Sequence, residues 1–176
     1  MKKSIYLFVL AGLISLSQTA CAQRGGDKSK RPSPPATVTT TLSSGAVITI
    51  NYSQPALKGR TIGKDVEPMK GQVWRTGANE ATVFETSKDI TINGQKLAAG
   101  KYGFFAIMND SDWTLIFNTN WNQWGAFSYK QAEDVLRVNV KASTTGTSLE
   151  RLTYTADQSG KVSLGWGSLI LDFIAK

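Results

Sequence analysis

Ile90-Thr91-Ile92-Asn93-Gly94-Gln95-Lys96-Leu97 decides the fold class. Two short runs flank Asn-Gly, the dipeptide that accepts the positive φ angles of a type I′ turn, so the stretch reads as a tight antiparallel hairpin. The same period-two logic extends outward. Ile48, Ile50 and Tyr52 alternate with Thr49 and Asn51. Leu136, Val138 and Val140 alternate with Arg137, Asn139 and Lys141, and Val162, Leu164 and Trp166 with Ser163 and Gly165. Such alternation means strands with one face in a core and one in water. Asp157-Gln158-Ser159-Gly160 reads as the turn joining residues 152–156 to residues 162–166. Residues 102–108 are apolar at nearly every position, which predicts a central strand covered on both faces. Trp113, Leu115 and Phe117 follow as its neighbour through the turn Asn109-Asp110-Ser111-Asp112. That turn could offer oxygens to calcium, but it lacks the spacing and distal glutamate of an EF-hand loop. Only residues 129–134 suggest a helix, and a short one. About ten short strands separated by turn signals predict one all-β domain, an antiparallel β-sandwich of jelly-roll type. Trp74, Trp113 and Trp166 fall on its apolar faces.

Composition bounds the chemistry. The 176 residues are enough for one domain with a sizeable core. The formal charge of +7 concentrates near the N-terminus, in Lys2, Lys3, Arg24, Lys28, Lys30 and Arg31. Without these six and Asp27, the body holds 14 basic and 12 acidic residues, a charge of +2. A near-neutral body argues against nucleic acid as a partner. There is no histidine, and Cys21 is the sole cysteine. A histidine triad, a cysteine nucleophile and the usual zinc ligand sets are therefore excluded from the body. No intramolecular disulfide can form, and no cofactor or metal is implied.

Met1-Lys2-Lys3, the apolar run over residues 5–16 and the small residues near Ala20 read as a secretory signal over residues 1–22. The run is too short to span a bilayer comfortably. Ala20-Cys21-Ala22 fits an A-x-A cleavage site that would release a chain starting at Gln23. Thr19-Ala20-Cys21 also resembles the end of a bacterial lipobox, in which Cys21 would carry lipid and become the mature N-terminus. Gln18 departs from the apolar residue usual in that motif, whereas the position of the sole cysteine favours the anchor. The expected location is the periplasm or cell envelope, with membrane contact only through that lipid. Residues 23–35, with Gly25-Gly26, Lys28, Lys30 and Pro32-Ser33-Pro34-Pro35, read as a flexible spacer ahead of a body spanning residues 36–176.

Two constellations are candidate sites. Arg75, Asn79 and Glu80 fall close together around Gly77. Arginine can clamp a carboxylate or a pair of sugar hydroxyls, asparagine offers donor and acceptor together, and glutamate can orient or deprotonate. The structural alternative pairs Arg75 with Glu80 in a network closing a long connection, with Asn79 left nearer any ligand. Arg60, beside Lys58 and Gly59, could add positive charge to the same mouth. Asn118-Thr119-Asn120-Trp121-Asn122-Gln123-Trp124-Gly125 sets two tryptophans among four side-chain amides, a pattern that suits a sugar ring and its hydroxyls. Here the structural alternative tucks Trp124 into the core beside Phe117 and Phe127. Glu67 or Glu85 with Glu80 could form the two-carboxylate machinery of a glycoside hydrolase.

Tyr52-Ser53-Gln54-Pro55, Lys58-Gly59-Arg60, Val73-Trp74-Arg75-Thr76-Gly77-Ala78-Asn79-Glu80-Ala81, Ala99-Gly100-Lys101-Tyr102, Trp113-Thr114-Leu115-Ile116-Phe117-Asn118 and Trp124-Gly125 carry a resemblance. Together they resemble the bacterial domain of unknown function family numbered 2911, across essentially the whole body. The resemblance implies an exported all-β domain and brings no catalytic residues with it. The expected function is an envelope-associated sandwich binding a polar ligand such as a glycan, through Arg75, Asn79, Glu80, Trp121 and Arg60. The alternatives are a carboxylate-based glycoside hydrolase and a structural or protein-interaction domain.

Overall fold

The computed structural model describes residues 27–176. The expected signal and Cys21 lie outside the described residues. The strands in chain order are β1 (Pro35–Thr41), β2 (Val47–Ser53), β3 (Val73–Trp74), β4 (Thr82–Thr86) and β5 (Ile90–Ile92). They continue as β6 (Gln95–Leu97), β7 (Gly100–Asn109), β8 (Asp112–Asn118), β9 (Asp134–Ala156) and β10 (Lys161–Ile174). All the strand pairings are antiparallel. The main sheet runs β1-β2-β4-β7-β8-β9-β10, with β3 also paired to β7. It curls back on itself: Leu57 N–H donates to Glu150 O at 2.9 Å, Leu152 N–H to Pro55 O at 3.0 Å, and Tyr154 N–H to Tyr52 Oη at 3.2 Å. The result is an all-β, sandwich-like domain.

The sequence pattern accounts for the layers. The hairpin β5–β6 pairs Ile92 with Gln95 around Asn93 and Gly94, whose φ angles of 47° and 84° are those the Asn-Gly turn requires. It is tied to the C-terminus by reciprocal backbone bonds between Thr91 and Lys176. The apolar strand β7 lies mid-sheet and is covered on both faces. Tyr102, Phe104 and Ala106 enter the main core, while Phe105 joins Ala81 and Ile116 in a second cluster on the other face. In the main core Trp74 stacks on Trp166, ring centroids 6.1 Å apart, and meets Trp113 edge-on at 6.4 Å. All three indoles are buried, as their alternating positions predict.

Two elements depart from expectation. Residues 129–134 form no helix beyond one 3-10 turn at Gln131–Glu133. Tyr129 is drawn instead onto Phe105, 5.3 Å between centroids, and its hydroxyl donates to Asp134 Oδ2 at 2.7 Å. The separate strands expected near residues 136–140 and 152–156 are one continuous strand, β9, which pairs first with β8 and then with β10. Register shifts opposite Gly165 and Gly167 insert extra β9 residues and let it bend while changing partners.

Candidate functional site

The Thr76–Ala81 turn and the loop after β8 meet over the outer face of β7. Thr76 and Asn79 hold positive φ angles of 51° and 61°, which turn the chain sharply between β3 and β4. Thr76 is locked from below: its hydroxyl donates to Phe104 O at 2.9 Å, and its carbonyl accepts from Tyr154 Oη at 2.9 Å. Burial pushes the Tyr154 hydroxyl well above the usual tyrosine range, the bond to Thr76 only partly opposing it, so it stays a neutral donor. Above this base, Ala81 N–H donates to Gln123 O and Gly125 N–H to Asn79 O, and Glu80 bridges Trp124. Arg75, Asn79 and Glu80 are thus gathered against residues 123–125. A Cβ on Gly125 would sit 3.4 Å from Arg75 Nη1 and 3.3 Å from the Phe127 ring.

The expected Arg75–Glu80 pair does not form. Arg75 Nη1 lies 3.0 Å from Glu67 Oε2, and its buried Nε meets no acceptor among the described residues. Glu80 turns to the segment read as a free spacer. Arg31 Nη1 donates to both of its carboxylate oxygens, at 3.0 and 2.9 Å, and Lys28 Nζ lies 3.0 Å from Oε1. Asn79 Nδ2 donates to Ser33 O at 2.9 Å, Gln54 N–H to Pro34 O at 2.9 Å, and Arg151 Nη1 to Pro32 O at 3.4 Å. The Arg31 guanidinium also sits 5.9 Å from the Trp124 ring centroid, a cation–π distance. Residues 28–34 therefore latch onto the candidate site, and Asn79 holds a backbone carbonyl of its own chain.

The remaining candidates separate. Arg60 is spent on its own loop, donating to Ala56 O at 2.7 Å and Leu57 O at 2.9 Å. Trp124 is 54% exposed and Phe127 85%, so the expected burial of Trp124 beside Phe117 and Phe127 is corrected. The physical reason is the second cluster: Ala126 and Tyr129 cover Phe105 and Ile116, which leaves the loop's larger rings outside. Trp121 is 39% exposed, with Lys101 Nζ 5.6 Å from its ring centroid. Its loop is pinned at both ends. Asn118 Nδ2 donates to Lys130 O and Asp134 Oδ1, Asn118 Oδ1 accepts from Asn120 N–H, and Gln123 Nε2 donates to Asn120 O.

Sequence reading missed Arg31 as the partner of Glu80, and it missed the Tyr129–Asp134–Arg137 network. Arg137 donates to Asp134 Oδ2 at 2.8 Å and to Tyr129 Oη at 2.9 Å. Burial opposes the charge on Arg137, but the bonds to Asp134 and Tyr129 outweigh it and hold the guanidinium more firmly protonated. The signal for the latch was Arg31-Pro32-Ser33-Pro34, which sits inside an otherwise spacer-like composition.

The latch has a pH signature. Burial pulls the Glu80 carboxyl up, but its own backbone N–H, Lys28 and Arg31 overcome this and hold it at about 2, from an ordinary 4.5. The folded value lies below the unfolded one, so the contribution is present above about pH 4.5 and fades as pH falls toward 2. Amide and indole NMR signals of Arg31 and Trp124 should shift together across that window. Glu80→Gln should reproduce the released spectrum at neutral pH. Signals that stay put in both experiments would mean that Glu80 does not hold the latch.

No curated protein and no solved structure matches the chain. The model of a family described as protein of unknown function DUF2911 matches residues 33–174, and the chain belongs to that family.

Proposed function

We propose that this is an exported, envelope-associated domain that binds a polar ligand, with a glycan fitting best, on the 118–125 loop. One observation carries the reading: Trp121 stands partly exposed on a loop fixed by its own amides, with a lysine ammonium beside the ring. A flat indole held in place stacks on a sugar ring at little entropic cost, and Lys101 and the exposed Asn122 supply donors at its edge. The side-chain bonds of Asn118 and Gln123 fix the platform, so they are not the groups that meet ligand. Arg75 and Glu80 are engaged by Glu67 and by the latch, and Arg60 by its loop, so the ligand contact concentrates on Trp121 rather than on the five residues together.

Binding is favoured over glycoside hydrolysis. A two-carboxylate hydrolase holds one acid protonated near neutral pH. Glu80 is held ionised down to about pH 2, while Glu67 faces Arg75 and Glu85 faces Lys101 at 3.3 Å. A panel of envelope and wall glycans should include a member that changes tryptophan emission. Trp121→Ala should abolish that change while lowering stability by about 1 kcal/mol, the worth of an exposed cation–π contact with Lys101. A response that survives Trp121→Ala, or a panel with no responder, would retire the glycan reading.

A further inference from the structure

The latch fixes where the chain upstream of Asp27 leaves the body, and it leaves beside the most exposed aromatic side chains described. Lys28 and Arg31 converge on Glu80, and Arg31 lies over Trp124. Trp124 neighbours Gly125, against which Phe127 packs. Trp124 at 54% and Phe127 at 85% exposure present two large apolar rings to solvent from a loop otherwise rich in hydrogen bonds. In water such rings cost free energy, and structural need does not explain them, because Ala126 and Tyr129 already cover the sheet beneath.

We infer that the Trp124–Phe127 face docks on the bilayer to which the N-terminus is tethered. The inference rests on the envelope reading above, in the form that places lipid on Cys21. Six peptide steps separate Cys21 from Asp27, and a fully extended chain of that length reaches only about 20 Å. With the latch closed, Asp27 stays within that reach of the lipid surface, and Arg31, four residues on, lies over Trp124. Tryptophan and phenylalanine at headgroup depth gain from burying their rings, and the indole N–H of Trp124 can remain in the polar layer. Lys30 and Lys130 are exposed but each is paired with a carboxylate, Asp27 and Glu133, so the docking rests on the two rings rather than on charge.

The full chain, purified from whole bacterial cells in the processed form it takes, is first weighed intact. It is then reconstituted in phosphatidylethanolamine–phosphatidylglycerol vesicles whose acyl chains carry bromine near the headgroup. Bromine quenches only tryptophan that reaches it, so emission should fall relative to unbrominated vesicles. Trp124→Phe should remove more than half of that fall. Phe127→Ser, which leaves every tryptophan in place, should also weaken it. Equal emission in the two kinds of vesicle, or a fall unchanged in both variants, would overturn the docking. A mass showing Gln23 as the first residue without lipid would overturn both the anchor and the docking. A lipid-bearing but unquenched protein would overturn the docking alone.

Discussion

Trp74→Ala is expected to lower the unfolding free energy by about 3–5 kcal/mol, the range for deleting a large buried aromatic side chain. Against a typical total of 5–15 kcal/mol, that leaves a marginal or unfolded protein. Trp74 is 1% exposed and lies between two other indoles, stacked on Trp166 and edge-on to Trp113. Its Nε1–H donates to Gly77 O at 3.2 Å, so its removal also strands a buried acceptor in the turn that carries Arg75, Asn79 and Glu80. The site and the core are therefore coupled at this residue. Urea denaturation of Trp74→Ala beside Trp124→Ala measures the contrast. Trp124 is more than half exposed, and its loss should cost no more than about 1 kcal/mol, the worth of an exposed cation–π contact with Arg31. Similar losses in the two variants would contradict the assignment of one indole to the core and the other to the surface.

The two tryptophans also show where sequence reading works and where it stops. Trp74, Trp113 and Trp166 are legible because each sits on a strand, and period two assigns a strand residue to a face before any partner is known. Asn93-Gly94 is legible because its turn is a local matter of φ. The unbroken apolar run of β7 likewise announces burial on both faces. Trp124 lies in a loop, where no period applies and exposure depends on which neighbour packs best beneath it. Ala126 and Tyr129 take the place beneath the loop, and nothing local to Trp124 encodes that.

The closeness of Arg75, Asn79 and Glu80 was legible in the sequence, and their pairing was not. Arg75, Asn79 and Glu80 do meet one surface, because the turn between β3 and β4 keeps them together. Charge pairing is long-range: Glu80 finds Arg31, 49 residues upstream, and Arg75 finds Glu67. A segment of prolines, glycines and lysines reads as solvated because it has few apolar residues. It is held instead by a carboxylate, an asparagine amide and a tryptophan face, contacts that composition does not display. Arg60 was misplaced for a similar reason, since its guanidinium serves two carbonyls of its own turn.

Gly160→Ala should be the most damaging of the small substitutions, with a cost of about 2–4 kcal/mol from backbone strain and overpacking together. Gly160 ends the β9–β10 turn at φ 90°, where an L side chain is disfavoured. An added Cβ would also fall 1.8 Å from Ala175 O and 2.9 Å from its carbonyl carbon, both backbone atoms that no rotamer change can clear. The C-terminal residues must then move. That breaks the Ala175 N–H bond to Gly160 O at 2.8 Å, and with it the Thr91–Lys176 bonds that hold the β5–β6 hairpin to the body. Hydrogen exchange should accelerate at Thr91 and Ala175 together, accompanied by a fall in melting temperature. Gly94→Ala isolates the cause, because Gly94 has a similar φ of 84° but no atom within 4 Å of the added Cβ. It should show only the conformational part, about 1 kcal/mol. Equal losses at the two glycines would mean that φ alone sets the cost and that the C-terminus gives way without resistance. A larger loss at Gly160, with exchange spreading into residues 90–97, would show that the last two residues clamp the hairpin to the sandwich.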